Sequence, residues 1–154
     1  LDQSAFANHG SPASVSPTFD ANSAVGGGTS ARFNGTTSGV NIAAAASLNP
    51  TNYTLTYFVN PDGAVQSGAF ERLTNRGGDS FETALSNTNQ FAYYNGWNNT
   101  GQFATANGWT HVAWRNDGAN MRLFLNGADT GYSGGAENSL TGNMYIGTRH
   151  NHRR

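Results

Sequence analysis

Apolar residues in this chain recur at every second position more consistently than at helical spacing. In YTLTYFVN, Tyr53, Leu55, Tyr57 and Val59 share one face, and Thr54, Thr56 and Phe58 share the other. Val40 and Ile42 flank Asn41. Phe81, Thr83 and Leu85 align through FETAL, and Met121, Leu123 and Leu125 alternate with Arg122, Phe124 and Asn126. MYIG adds a short run near the C-terminal end. A period of two marks strands that lay one face on a core. Helical signals are nearly absent. The alanine run NIAAAASLNP is short and stops at Pro50, which predicts a turn or a single helical turn.

Between these runs stand Asn34-Gly35, Asp62-Gly63, Asn95-Gly96, Asn107-Gly108, Asp117-Gly118 and Asn126-Gly127. Such pairs tolerate the positive φ that tight hairpin turns demand. Many short strands with regular turn signals predict an all-β antiparallel sandwich or barrel. With 154 residues the chain suits one domain. No internal repeat or linker divides it. Residues 1–31, rich in Ser, Ala and Gly, read as an extended entry segment ending in GGGTS. The stretch GWTHVAWRNDGANMRLFLNGADTG reads as strand, Asp-Gly turn, strand, with Trp109 and Trp114 in the core and His111 as a structural hydrogen-bonder.

Composition narrows the chemistry. There is no Cys, so a disulfide framework and a thiolate metal site are both excluded. All eight basic residues are Arg, the formal charge is -1 and charged residues make up 11%. A nucleic-acid partner held by counterion release needs a basic face that this chain does not have. No run approaches the length of a membrane span. The start at Leu1 reads as a mature or excised piece of a longer protein, and the Asn- and Thr-rich surface suits an extracellular or virion setting. Sequons stand at Asn34, Asn52 and Asn98.

The ordered set HG (His9-Gly10), ARFNG, SGVNIAAAASLNP, NYTLTYFVNP, WTHVA, RLFLNG and NMYIGTR resembles laminin-G-like domains of the concanavalin A-like lectin and glucanase superfamily. The resemblance covers nearly the whole chain and implies a jelly-roll β-sandwich. It also implies a closing strand after YIG, where this sequence reads TRHNHRR. A neighbouring segment or chain supplies that strand, or an edge stays open, or order ends early. An open edge favours assembly, including a homo-oligomer.

Glucanases of this superfamily carry closely spaced carboxylates of the Glu-x-Asp-x-x-Glu type. None of Glu71, Glu82 and Glu137 has an acidic residue two positions away, so the resemblance does not carry that activity over. Glu71 with Glu82 across strands is the one remaining acid–base pair. His150 and His152 form a metal-chelating pair on paper, although a mobile basic tail is the plainer reading. GGGTS has no Lys for a phosphate loop. Many relatives bind calcium, and Asp79, Asp62 and Asp2 are the oxygen donors singled out for Ca²⁺. The cluster FAYYNGWNN is the glycan-binding candidate, because sugar faces stack on aromatic rings while amides bond hydroxyls. Its candidates are Tyr93, Tyr94, Asn95, Trp97 and Asn98, with Tyr132 as a second exposed aromatic. The expectation is a non-catalytic recognition or adhesion module for a glycan or polysaccharide surface. The alternatives are a structural assembly protein, such as a phage fibre, capsid-decoration domain or surface filament subunit, and, with its carboxylates missing, a glycoside hydrolase or lyase.

Overall fold

The computed structural model describes residues 3–63, 70–77, 81–94, 98–137 and 140–147. Their strands, in chain order, are β1 (Gly10–Pro12), β2 (Thr18–Asp20), β3 (Ser30–Arg32), β4 (Val40–Ile42), β5 (Tyr53–Val59), β6 (Glu71–Arg76) and β7 (Phe81–Leu85). They continue with β8 (Gln90–Tyr93), β9 (Asn98–Phe103), β10 (Thr110–Asn116), β11 (Asn120–Leu125), β12 (Ala128–Gly135) and β13 (Met144–Ile146). The alanine run supplies a single 3-10 turn, Ala46–Leu48. The stretch read as an entry segment holds three short strands, β1 to β3.

Two sheets face each other. The larger has seven strands in the order β1-β4-β13-β6-β7-β8-β9, the smaller four in the order β12-β11-β10-β5, and β2 and β3 form a separate hairpin. Strand pairing in all three is antiparallel. The chain is therefore the β-sandwich that the alternation predicts. From the larger sheet Phe81, Leu85, Phe91 and Tyr93 turn inward, and from the smaller Val112, Trp114, Met121 and Leu123, all at 2% exposure or less. This apolar surface removed from water is the main favourable term in folding.

Trp114 sits at the join. Its ring lies 5.7 Å from that of Tyr93, and its indole N–H donates to the Tyr57 hydroxyl at 3.1 Å. Tyr57 donates in turn to Thr83 Oγ1 at 3.1 Å, and the hydroxyls of Thr83 and Thr74 lie 2.7 Å apart. A hydrogen-bonded chain thus crosses from β10 and β5 to β7 and β6. In this chain of contacts the indole N–H and the buried hydroxyls each find a partner.

The hairpins follow the turn dipeptides. Asn126 and Gly127 both have positive φ, 50° and 83°, as a two-residue type I′ turn between β11 and β12 requires. Between β10 and β11 the Asp117 carboxylate accepts from the backbone N–H groups of Ala119 (3.0 Å) and Asn120 (2.8 Å). The Asn120 and Ala119 bonds hold the Asp117 carboxyl below its usual range. Trp109 departs from the sequence reading: it is half-buried outside the core, and its N–H donates to Asn22 Oδ1 at 3.0 Å. It sits one residue before β10, at the edge of the sandwich.

Tyr57→Phe removes the acceptor of the buried Trp114 N–H. We expect a loss of about 1–3 kcal/mol in urea unfolding. Desolvation pushes the Tyr57 and Tyr132 hydroxyls up to about 12, from an unfolded value near 10. The neutral phenols therefore add stability that is complete below about pH 10 and lost as pH rises through about 12. A phenolate absorbance titration run alongside unfolding checks this: the two should coincide.

Candidate functional site

The register that turns Phe81, Thr83 and Leu85 inward turns Glu82 and Ala84 to the outer face of the seven-stranded sheet. Asn41 pairs with Tyr145, Tyr145 with Asn75 and Asn75 with Glu82, so the four share one row across β4, β13, β6 and β7. The row continues to Tyr94, whose backbone N–H donates to the Glu82 carbonyl at 2.9 Å. Asn41 and Tyr145 are half-buried, whereas Asn75 and Glu82 are each 1% exposed. The row therefore deepens from the β4 side toward the middle of the sheet.

Polar groups so deep need partners. Glu82 Oε2 accepts from Arg72 Nε at 2.7 Å, and Oε1 from Asn75 Nδ2 at 2.5 Å. Arg72 Nη1 donates to the Phe70 carbonyl at 3.2 Å. In the next row Arg72 is register partner to Ala84, and Ala84 to Ala92, both fully buried. Small residues there leave room for the guanidinium beside Glu82. Two acceptors remain: Asn41 Oδ1 and Asn75 Oδ1 are buried and have no hydrogen-bond partner among the described residues. The bond to Glu82 settles the Asn75 amide orientation, since only its nitrogen can donate to a carboxylate.

The structure separates the residues that the sequence grouped. Tyr94 lies in the row beside Glu82. Tyr93 does not: it is fully buried, its hydroxyl donates to the Gly135 carbonyl, and its ring packs on Trp114. Alternation along β8 forces this split. Tyr132 is half-buried, edge-on to both Tyr93 and Trp114 at 6.3 Å, and caps the core instead of standing free. Asn98 pairs with Tyr93 and so shares its inward-turned register position. Trp97 and Asn95 lie outside the described residues, as do Asp79, Asp2, His150 and His152.

Asp62 is committed to an ion pair with Arg32, which also faces Asp20 at 3.8 Å. Among the described residues no three His, Asp or Glu side chains gather as a metal site. Glu71 and Glu82 do not converge. Glu71 pairs with inward-turned Leu85, so the sheet itself lies between the two carboxylates. The Asn34 sequon is structural: Asn34 Oδ1 accepts from the N–H groups of Thr36, Thr37 and Ser38 at 2.9–3.0 Å. Sequence reasoning missed Asn41, Arg72, Asn75 and Tyr145. Their signal was a polar or phenolic residue at the outward position of a short strand, visible one strand at a time.

A laminin G family model, described as the concanavalin A-like lectin/glucanases superfamily, matches residues 34–154. The chain belongs to that superfamily. The superfamily match takes in the whole row from Asn41 to Tyr145, while β1 to β3 precede it. No curated protein matches the chain in sequence. Among solved structures it is similar to domain 4 of a GH43 extracellular arabinanase from Geobacillus stearothermophilus, solved in complex with arabinotriose. The TM-score is 0.64 at 17% identity, over 90% of this chain and 72% of that one. At that identity the likeness shows a shared fold.

Breaking a buried ion pair from one side leaves the other charge uncompensated. Arg72→Met or Glu82→Gln alone should cost about 3–5 kcal/mol in denaturant unfolding, and the double variant should recover part of that loss. Single variants within about 0.5 kcal/mol of the parent, the range of ordinary surface changes, would show that the pair does not hold the row.

Proposed function

We propose that this chain is a non-catalytic glycan-binding module, and that its ligand lies across the outer face of the seven-stranded sheet. The observation that carries this reading is the row itself. Two buried carboxamide oxygens stand without partners among the described residues, with a tyrosine between them in register. At the half-buried end of the row, where Asn41 and Tyr145 lie side by side, a sugar ring offers C–H groups to the phenol face and its hydroxyls bond the neighbouring polar side chain. Tyr94 extends the same row. The arabinotriose complex of the structurally similar arabinanase domain adds support, since that fold accommodates an oligosaccharide. Such a module would work where polysaccharide is met, outside the cell or on a virion surface.

The arrangement of carboxylates favours binding over turnover. Hydrolysis calls for two carboxyl groups flanking one glycosidic bond, about 5–9.5 Å apart. Here Glu82 already accepts from Arg72 and Asn75, and Glu71 has the register of the opposite face. Glu82 serves better as the anchor of the row than as a proton donor.

The test is affinity electrophoresis and calorimetry against arabinan, galactan and amylose, with the parent chain, Asn41→Ala and Tyr145→Ala. We expect at least one polymer to bind, and each substitution to weaken it about tenfold or more, roughly 1.4 kcal/mol, with the melting transition retained. Binding that survives both substitutions would place the ligand elsewhere. Failure of every polymer to bind would overturn the reading.

A further inference from the structure

We propose that the chain carries a second sugar site, a depression at the end of the four-stranded sheet where β5 begins and β10 stops, which takes one neutral sugar unit through adjacent hydroxyls. The choice of a sugar rests on the glycan-binding reading above. The site itself is independent of the row, which lies on the other sheet. The depression has a volume of about 400 Å³ and is lined by Asn52, Tyr53, Thr54, Arg115, Asn116 and Asp117. That volume falls in the range of small-ligand pockets. Strand register builds it. Thr54 is the direct partner of Arg115, and Tyr53 of Asn116. Asn52 and Asp117 stand one residue beyond the two strand ends, so a period of two brings Asn52 to the side of Thr54 and Asp117 to the side of Arg115.

The buried member of this set is fixed, and the exposed members are uncommitted. Asn116, 2% exposed, donates from Nδ2 to the Glu137 carbonyl at 2.7 Å and accepts at Oδ1 from the Gly118 N–H at 2.9 Å. Asp117 commits Oδ1 to the N–H groups of Ala119 and Asn120, which leaves Oδ2 open. A Cβ on Gly118 would fall 2.8 Å from Asn52 Oδ1, so the bare glycine lets the turn and the Asn52 side chain meet. Asn52, Thr54 and Arg115 are exposed, and their side chains make no hydrogen bond or salt bridge among the described residues. Arg122, the cross-strand partner of Arg115, lies 3.6 Å from Asp129. The charges gathered here, Arg115 and Arg122 against Asp117 and Asp129, cancel, which suits a neutral ligand. A sugar hydroxyl both donates and accepts, and this set offers both kinds of partner at groups open to solvent. The guanidinium and the Asn52 amide donate, and the Asp117 and Asn52 oxygens accept. Neighbouring strands lie about 4.8 Å apart and alternate residues about 7 Å, so the four exposed side chains frame roughly one sugar ring.

The experiment is an NMR titration of the isotope-labelled chain with arabinotriose, galactotriose, maltotriose and trigalacturonate. The Asn52 side-chain amide and the backbone N–H groups of Thr54 and Asp117 are expected to shift saturably with at least one neutral trisaccharide, in Tyr145→Ala as well as in the parent. Asn52→Ala and Arg115→Ala, both at exposed positions, should each weaken that response about tenfold or more, with the melting transition retained. Saturable shifts confined to the row from Asn41 to Tyr145 would overturn the second site and leave the glycan reading standing. Shifts at the depression that both substitutions leave unchanged would overturn the assignment of these side chains, and tighter binding of trigalacturonate would overturn the neutral ligand. No saturable response to any of these sugars would overturn both the site and the glycan reading.

Discussion

The indole of Trp114 lies wholly between the two sheets, and the arrangement of both depends on how its one polar atom is met. A buried N–H must have an acceptor, and the Tyr57 hydroxyl is placed to provide it. That hydroxyl then needs its own acceptor, which Thr83 supplies from the opposite sheet. Three residues, from β10, β5 and β7, thereby fix the facing of the sheets more tightly than apolar packing alone, which is non-directional. Once Thr83 is held inward, its neighbours Glu82 and Ala84 are committed to the outer face. The candidate site is in this sense a consequence of the core.

The outer face then carries a cost. An ion pair with side-chain exposure of 12% and 2% has surrendered most of its hydration, and its mutual attraction seldom exceeds that loss by much. A sheet that needed only stability would be better served by apolar residues at Arg72 and Glu82. Their presence, together with two carboxamide oxygens left without partners among the described residues, means that this face is less stable than packing would allow. Polar groups kept deep at a net cost, in one register row, mark the place where recognition is the simpler explanation. The Asp117 turn and the Asn34 loop show the contrast: their side chains bond the backbone of their own turns.

Much of the fold was legible in the sequence because its signals are local. Alternation in β5, β7 and β11 names the inward residues, and Asn126-Gly127 names a turn that the structure realises with both residues at positive φ. The site was less legible for the same reason. FAYYNGWNN looks like one aromatic cluster, yet a period of two sends Tyr93 into the core and leaves Tyr94 beside Glu82. Asn41 and Asn75 are 34 positions apart and become near neighbours only because β13, almost at the C-terminal end, inserts between β4 and β6. Outward polarity on a short strand is visible in the sequence; which strand lies next to it is not.

The same topology explains why the row is built from three-residue strands at one end and longer ones at the other. β4 and β13 are short and their residues half-buried, whereas β7 is buried along its whole length. A side chain on β7 is held by the core beneath and by Arg72 beside it. Asn41 and Tyr145 thus form the half-buried rim of the row and Asn75 and Glu82 its buried floor. For the binding proposed above, the rim is the part of the row open to an extended ligand, and the floor holds that rim in register.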